Sequence, residues 1–334
     1  MFFDVLTKLQ RSLGTMRILG DVLRTVTLFL SVLSGSFAEL GQEDTGFGAA
    51  TDASLFKAAV FDTEDQGRHH NNTIKVMSYN IQNFDSGAPW ASRKHLVAQV
   101  IRDEEPAVVA VQEVRTRDGR SQALELAELL SPKYALLRDT AMEYEDGSTE
   151  GLALYTTLPI RLHHSTSLGS SYLDLNERVC QHAALALPTG GVLDVFHTHL
   201  SYDRSTQVAS LERLMDCLSL HREGSVQLLL GDLNTHSDYR LVAEVLTGLH
   251  GEIPGGPFTD LWEAVHSSNT SKDPDFGLTF STSKLITRCD YIMARGSFTP
   301  ILAKTLGDVS LTDDGGSIIA ASDHLALLVE IALS

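Results

Sequence analysis

From Ile74 onward, short apolar runs alternate with amphipathic stretches, each with the length of a strand or a helix. IKVMSYNI (74–81) and AVVAVQEV (107–114) are dense in apolar residues, which predicts buried strands. Between them, RKHLVAQVIRDEE (93–105) sets Leu96, Val97, Val100 and Ile101 on one helical face. SQALELAELL (121–130) predicts a second helix with Ser121 as its N-cap. Strands are expected at YALLRD (134–139), GLALYTT (151–157), CQHAALAL (180–187) and VLDVFHTHL (192–200). A helix over STQVASLERLMDCLSL (205–220), a strand over VQLLLGDLN (226–234) and a helix over SDYRLVAEVL (237–246) follow. RCDYIMA (288–294) and HLALLVEIAL (324–333) are the last strands.

Many strands with intermittent helices predict an α/β fold of two packed β-sheets flanked by helices, in a single domain over 73–334. No repeat of fixed period interrupts it. The polar and Gly/Pro-rich segments 139–150 and 251–279 read as loops of that domain.

The first 72 residues are of another kind. Arg11, Arg17 and Arg24 precede the uncharged stretch Thr25 to Ala38, which holds VTLFLSVL and ends in Ser36, Phe37 and Ala38. Basic, apolar and small-residue parts in that order describe a signal peptide over 1–38, with Met1 or Met16 as its start. A spanning helix needs about 20 apolar residues, and Ser and Gly break this shorter run, so a signal anchor is the alternative rather than the first reading. Residues 39–72 are Gly-, Asp- and Glu-rich and read as a polar linker, with His69 and His70 as solvated linker histidines. Asn71 and Asn269 open glycosylation sequons, as a secreted glycoprotein would carry.

Composition narrows the partners. With 43% apolar and 21% charged residues the chain is an ordinary globular one. Against 43 Asp and Glu stand 26 Lys and Arg, a net charge of −17, so no broad basic surface collects duplex phosphates. This favours small or lipid-like substrates, although bound metal would offset charge near a site. Cys180, Cys217 and Cys289 are too few for a disulfide scaffold, and buried thiols with at most one bridge are expected.

Candidate chemistry gathers at strand ends. Asn80 and Glu113 close the first two strands, and an ionised Glu there is a hard ligand of the kind Mg²⁺ or Mn²⁺ prefers. In LLLGDLN a spacing of two sets Asp232 and Asn234 on one face of the strand end. His199 ends VLDVFHTHL and can protonate a leaving oxygen near neutral pH, whereas His197 lies deeper and reads as a core histidine. Asp290 sits in RCDYIM, and Asp323 with His324 precedes the final strand. Each alone is also what a turn or cap contains.

The joint pattern carries more. MSYNIQNF, VVAVQEV, THL, GDLN, RCDYI and SDH, in that order, resemble the blocks of the endonuclease/exonuclease/phosphatase superfamily from Ile74 to the C-terminus. The resemblance implies a four-layered α/β sandwich, deoxyribonuclease I-like, with its site at the edge between two sheets. It implies a phosphoester hydrolase that uses Mg²⁺ or Mn²⁺ held by Glu113, assisted by Asn80 and Asp323. Asp232 would orient or deprotonate water, Asn234 would hold a phosphoryl oxygen, and His324 supported by Asp290 would bind the phosphoryl group or move a proton. His199 would protonate the leaving group, with Glu150 orienting it and Arg178 and Gln207 as further polar neighbours. Phe84, Pro89 and Trp90, after Asn80, could form an apolar rim for a base or a lipid, or pack back on the domain.

The superfamily fixes the bond type and not the molecule. LLLGDLN and ITRCDYI lack the tryptophans and proline of the inositol-lipid branch, and abasic-site nucleases carry basic loops where this chain has Lys284, Arg288 and Arg240. A nucleic acid and a lipid headgroup remain as substrates, with a monomer expected. The alternative is an inactive member that binds a phosphorylated ligand or a protein; such a chain would normally have lost Glu113, Asp232 or His324.

Overall fold

The computed structural model describes residues 72–334 apart from 85, 221–223, 237–238, 268–276, 314 and 334. The expected signal peptide, the linker as far as Asn71 with His69 and His70, and the sequon residue Asn269 lie outside the described residues.

Strand β1 (Thr73–Asn80), helix α1 (Trp90–Glu104) and β2 (Val108–Arg117) come first. β3 (Arg120–Ser121), α2 (Gln122–Leu130), β4 (Ala135–Glu143) and β5 (Thr149–Thr156) follow. Next are β6 (Ile160–Gly169), β7 (Arg178–Ala186), β8 (Val192–His199), α3 (Arg204–Leu220) and β9 (Val226–Asp232). The chain continues through α4 (Leu241–Leu246), β10 (Thr259–Asp260), α5 (Leu261–His266), β11 (Asp290–Gly296) and β12 (Phe298–Leu306). β13 (Ser310–Thr312), β14 (Ile318–Ala320) and β15 (Ala326–Leu333) end it.

One sheet has the order β12-β15-β1-β2-β5-β4 and the other β10-β11-β9-β8-β7-β6. Each is built around one parallel pair, β1 with β2 and β8 with β9, and antiparallel neighbours complete both. Three apolar clusters separate four layers. Val76, Val108, Val195, Leu228, Leu230, Ile292 and Val329 fill the space between the sheets. Met77, Tyr79, Val97, Ile101 and Leu126 seal α1 and α2 onto the first sheet, and Phe196, Leu214, Leu218, Leu229 and Val242 seal α3 and α4 onto the second. The four-layered α/β sandwich is therefore present.

The period of two along each strand explains where polar groups emerge. Val226, Leu228 and Leu230 face the other sheet, so Asp232 does too; Leu193 and Val195 do the same for His197 and His199. Ile292 and Ala294 point Asp290 there, and Ile74 and Val76 point Asn80. Register then aligns the ends: His199 pairs with Asp232 and Asp290 pairs with Asp232. Gly231 lets these strands meet, since at its φ of 146° a Cβ would collide with the carbonyl of Thr198.

The structure corrects several expectations. Strands β6 and β12 escape an apolar-run reading because they are sheet edges, where one side meets solvent and Pro300 is tolerated. The stretch 251–279 is not all loop: Asp260 caps α5 by accepting from the Trp262 and Glu263 amides, and Trp262 is buried. The helix expected over 237–246 is only α4, whereas Ser121 does cap α2 by accepting from the Leu124 amide. Trp90 forms no rim, being buried at the start of α1 with Phe84 packed on the same cluster. Two of the three cysteines are not free thiols: Cys180 of β7 and Cys217 of α3 form a disulfide with Cα atoms 6.8 Å apart, and Cys289 alone is free and buried.

That bond closes a loop of 37 residues between sheet and helix, which restricts the unfolded chain. Cys217→Ala should lower unfolding free energy by about 2–4 kcal/mol in urea titrations, and dithiothreitol should bring the wild type to the same midpoint. An unchanged midpoint in both would contradict the pairing.

Candidate active site

The strand ends form one connected polar cluster. Asn80 donates through Nδ2 to Glu113 Oε1 at 2.9 Å and to Asp232 Oδ2 at 3.0 Å, joining the two sheets across their edge. Its Oδ1 accepts from the Gln82 amide at 3.0 Å, so the amide orientation is fixed. Glu113 reaches this place because φ is 58° there, at a bulge where the register of β2 against β5 shifts between Val111 and Val114. Without the bulge, alternation after Gln112 would turn Glu113 toward the helices.

On the second sheet Asp232 lies 3.4 Å from His199 Nε2 and 3.8 Å from His324 Nε2. Its other oxygen accepts from the Asn234 amide at 2.9 Å. Asn234 Nδ2 donates to Leu200 O at 2.9 Å, and a carbonyl can only accept, so the same nitrogen also donates to His199 Nε2 at 3.1 Å. His199 is therefore neutral with Nε2 as acceptor. Burial, followed by the charges of Arg178 and His324, holds its pKa well below the ordinary value.

His324 is the opposite case. Nδ1 lies 2.9 Å from Asp290 Oδ2, and Phe280 packs against the ring at 4.9 Å. Burial pulls its pKa down, but the charge and hydrogen bond of Asp290, with Asp232 and Asp323, push it up to about 10. Asp232 is raised to about 7, by burial first and then by Asp290. Asp290 is itself seated by Thr279 Oγ1, which accepts from the Cys289 and Asp290 amides.

Asp323 adjoins this cluster through Ser322, whose Oγ donates to Asn80 O at 2.7 Å and lies 3.3 Å from Asp323 Oδ1. Glu150 stands one step away: Asn83 donates its amide N–H to Glu113 Oε2 and its Nδ2 to Glu150 Oε2. Burial and then the Glu113 charge raise the Glu150 pKa. An open cleft lined by Tyr144, Glu150, Asn176, Arg178 and His199 leads from here to the surface, with Arg178 donating to Asp174 at 3.3 Å. Gln207 stays behind the centre, and His197 is a core histidine between Gln112 and Gln181.

Among the described residues, one group of His and carboxylates has ligand atoms within 4.8 Å of one another: Asp232, Asp290 and His324. It differs from the expected set of Glu113, Asn80 and Asp323. Glu113, on the other side of the cluster, accepts from Asn80 Nδ2 and from the Asn83 amide, whereas His324 is tied to Asp290. The positions missed in the sequence are the braces Asn83, Thr279 and Ser322. Asn83 and Ser322 lie within recognised blocks and Thr279 at the end of a stretch read as loop, and nothing distinguishes a bracing hydroxyl or amide from an ordinary loop residue until its partner is known.

Gln207, at the first turn of α3, is such a brace. Its Nε2 faces Ser201 O at 2.7 Å, Asn234 O at 2.8 Å and Leu233 O at 3.2 Å, clasping the loops that follow β8 and β9. Gln207→Met keeps the volume and removes the donor, leaving buried carbonyls unpaired. Stability should fall by about 1–3 kcal/mol in urea. A change below about 0.5 kcal/mol would remove the clasp from the account of this site.

Comparison with known proteins places the fold and the family. No curated protein matches the chain by sequence. Among solved structures, a mannosyl-6-phosphatase from Bacteroides thetaiotaomicron is similar at TM-score 0.59 and 18% identity, over 77% of this chain and 99% of that one. Truncated TDP2 from Caenorhabditis elegans is similar at TM-score 0.58 and 20% identity, over 78% of this chain and 98% of that one. D. rerio TDP2 complexed with single-strand DNA product is similar at TM-score 0.58 and 18% identity, over 78% and 98%. These likenesses share the fold, and the model of the Endonuclease/Exonuclease/phosphatase family matches residues 77–324, from inside β1 to His324. The chain belongs to the Endonuclease/Exonuclease/phosphatase family.

Proposed function

We propose that this chain is a secreted phosphoester hydrolase that requires Mg²⁺ or Mn²⁺ and uses water as its nucleophile. One observation carries the reading: Glu113, Asp232 and Asp290 converge at one edge of the sandwich, and burial, with the charge of Asp290, raises Asp232 to about 7. Such crowding is costly unless a cation neutralises it, and all-oxygen donors fit a hard divalent ion. Glu113 and Asp323 would hold the ion, with Asn80 keeping Glu113 and Asp232 in place; once bound, it would stabilise charge on the phosphoryl oxygens.

The chain's own groups divide the remaining work. Asp232 orients water and takes its proton. His324, with Asp290 on Nδ1, presents Nε2 as a cationic donor to the phosphoryl group and the departing oxygen. His199, whose Nε2 accepts from Asn234, positions substrate rather than giving up a proton. Export fits the Cys180–Cys217 disulfide, which persists in oxidising surroundings. A small or amphiphilic substrate fits the cleft better than a duplex does: Arg240 and Arg288 are engaged by Glu263 and Asp260, and the net charge is −17. The similar mannosyl-6-phosphatase and TDP2 structures support a phosphomonoester or a single strand as further candidates.

The test is a panel of phosphodiesters and phosphomonoesters with and without Mg²⁺. Glu113→Gln should lower turnover by about 10³-fold or more while the fold is retained. Mg²⁺ should raise the wild-type melting temperature more at about pH 8 than at about pH 5, since carboxylates bind it only when ionised. Activity in EDTA, or unaltered Mg²⁺ affinity in Glu113→Gln, would overturn the assignment.

A second measurement separates the histidines. His324→Ala should lose about 10²–10⁴-fold on an alkoxide-leaving diester and far less on a p-nitrophenyl diester, which needs no acid. His199→Ala should lose similar factors on both. The reverse pattern would return the acid to His199.

A further inference from the structure

The loop between β6 and β7 is folded with its polar side chains inward. Ser171 Oγ lies 2.5 Å from Thr206 Oγ1, and Asp174 accepts from Ser201 Oγ at 2.5 Å, from Arg178 and from Asn176. Asp174 is 1% exposed. The apolar side chains of the same loop face water: Tyr172 is 87% exposed, Leu175 74% and Leu173 48%. Tyr202, on the loop after His199 that this one grips, is 60% exposed. Surface loops are normally arranged the other way, and isolated exposed leucines need no explanation, but a braced cluster of four does. The bracing also means that the cluster is presented at little ordering cost on binding.

Its place says what it meets. Asn176, Glu177 and Arg178, which continue the loop, line the cleft with His199, so whatever covers the patch lies beside the reacting group. Arg178 and His199 in the cleft suit a phosphoryl headgroup, and the apolar side chains beside it suit what such a headgroup is attached to. Tyrosines with leucines are the composition that settles at a membrane interface. A net charge of −17 disfavours both a nucleic acid strand and an anionic bilayer.

We propose that Tyr172, Leu173, Leu175 and Tyr202 form a docking surface for a zwitterionic phospholipid interface, setting a lipid phosphoester headgroup over the cleft. The choice of substrate class rests on the phosphoesterase reading; the docking does not. The protein and its Tyr172→Ser/Leu173→Ser/Leu175→Ser variant would be sedimented with phosphatidylcholine vesicles. Melting temperatures serve to show that the variant is folded. The wild type should bind, and the variant should bind at least about tenfold more weakly. Hydrolysis of soluble bis(p-nitrophenyl) phosphate should be equal in the two, because none of the three side chains belongs to the catalytic cluster.

No vesicle binding by the wild type would overturn the proposal. So would equal binding by the variant, or binding that appears only when phosphatidylserine is added. Concentration-dependent self-association lost in the variant would assign the patch to a second copy. Single-stranded oligonucleotide binding lost in the variant would assign it to base stacking. If neither protein hydrolyses any ester but the vesicle result holds, the catalytic reading fails and the docking surface stands.

Discussion

One amide nitrogen ties the candidate centre together. Asn80 Nδ2 donates to Glu113 on its own sheet and to Asp232 on the opposite sheet, and these carboxylates would otherwise only repel one another. The sheets are packed by apolar contact, which sets their spacing but is indifferent to small slides. A charge-assisted hydrogen bond across the edge is directional, and it fixes how the two halves of the site face each other. The braces around it, Ser322 on Asn80 O, Gln82 on Asn80 Oδ1 and Gln207 on the far loops, hold that geometry from behind.

The same arrangement concentrates unfavourable charge. Asp232 and Asp290 are adjacent in register, and the Asp232 pKa rises because burial and its neighbour both oppose ionisation. His324 answers part of this from the side of Asp290, and no lysine or arginine answers the rest by direct ion pairing with Asp232 among the described contacts. A fold that tolerates such a cluster does so because a large apolar core fills the space between the sheets beneath it, below Gln112 and His197. Stability is supplied there, and function draws on it at the edge.

Beyond the edge, the loops set what reaches the site. The inward polar groups of residues 171–176 turn Tyr172, Leu173 and Leu175 outward, and Asn176, Glu177 and Arg178, which follow them in the chain, line the cleft with Tyr144, Glu150 and His199.

Local pattern determined much of this protein. The strand runs, the Ser121 cap and the order of the six blocks are legible in the sequence, and they were enough to give the layered fold and the family. The sequence did not show the edge strands β6 and β12, which need no apolar run, nor that Trp90 is buried and Cys180 bonded to Cys217. Those depend on which surfaces come to face each other. The state of each site residue was decided in the same way: His199 is an acceptor because Leu200 O fixes the Asn234 amide, and His324 is cationic because Asp290 arrives from a strand 34 residues earlier. Protonation and hydrogen-bond direction belong to pairs of groups, and the pairs exist only once the two sheets have met.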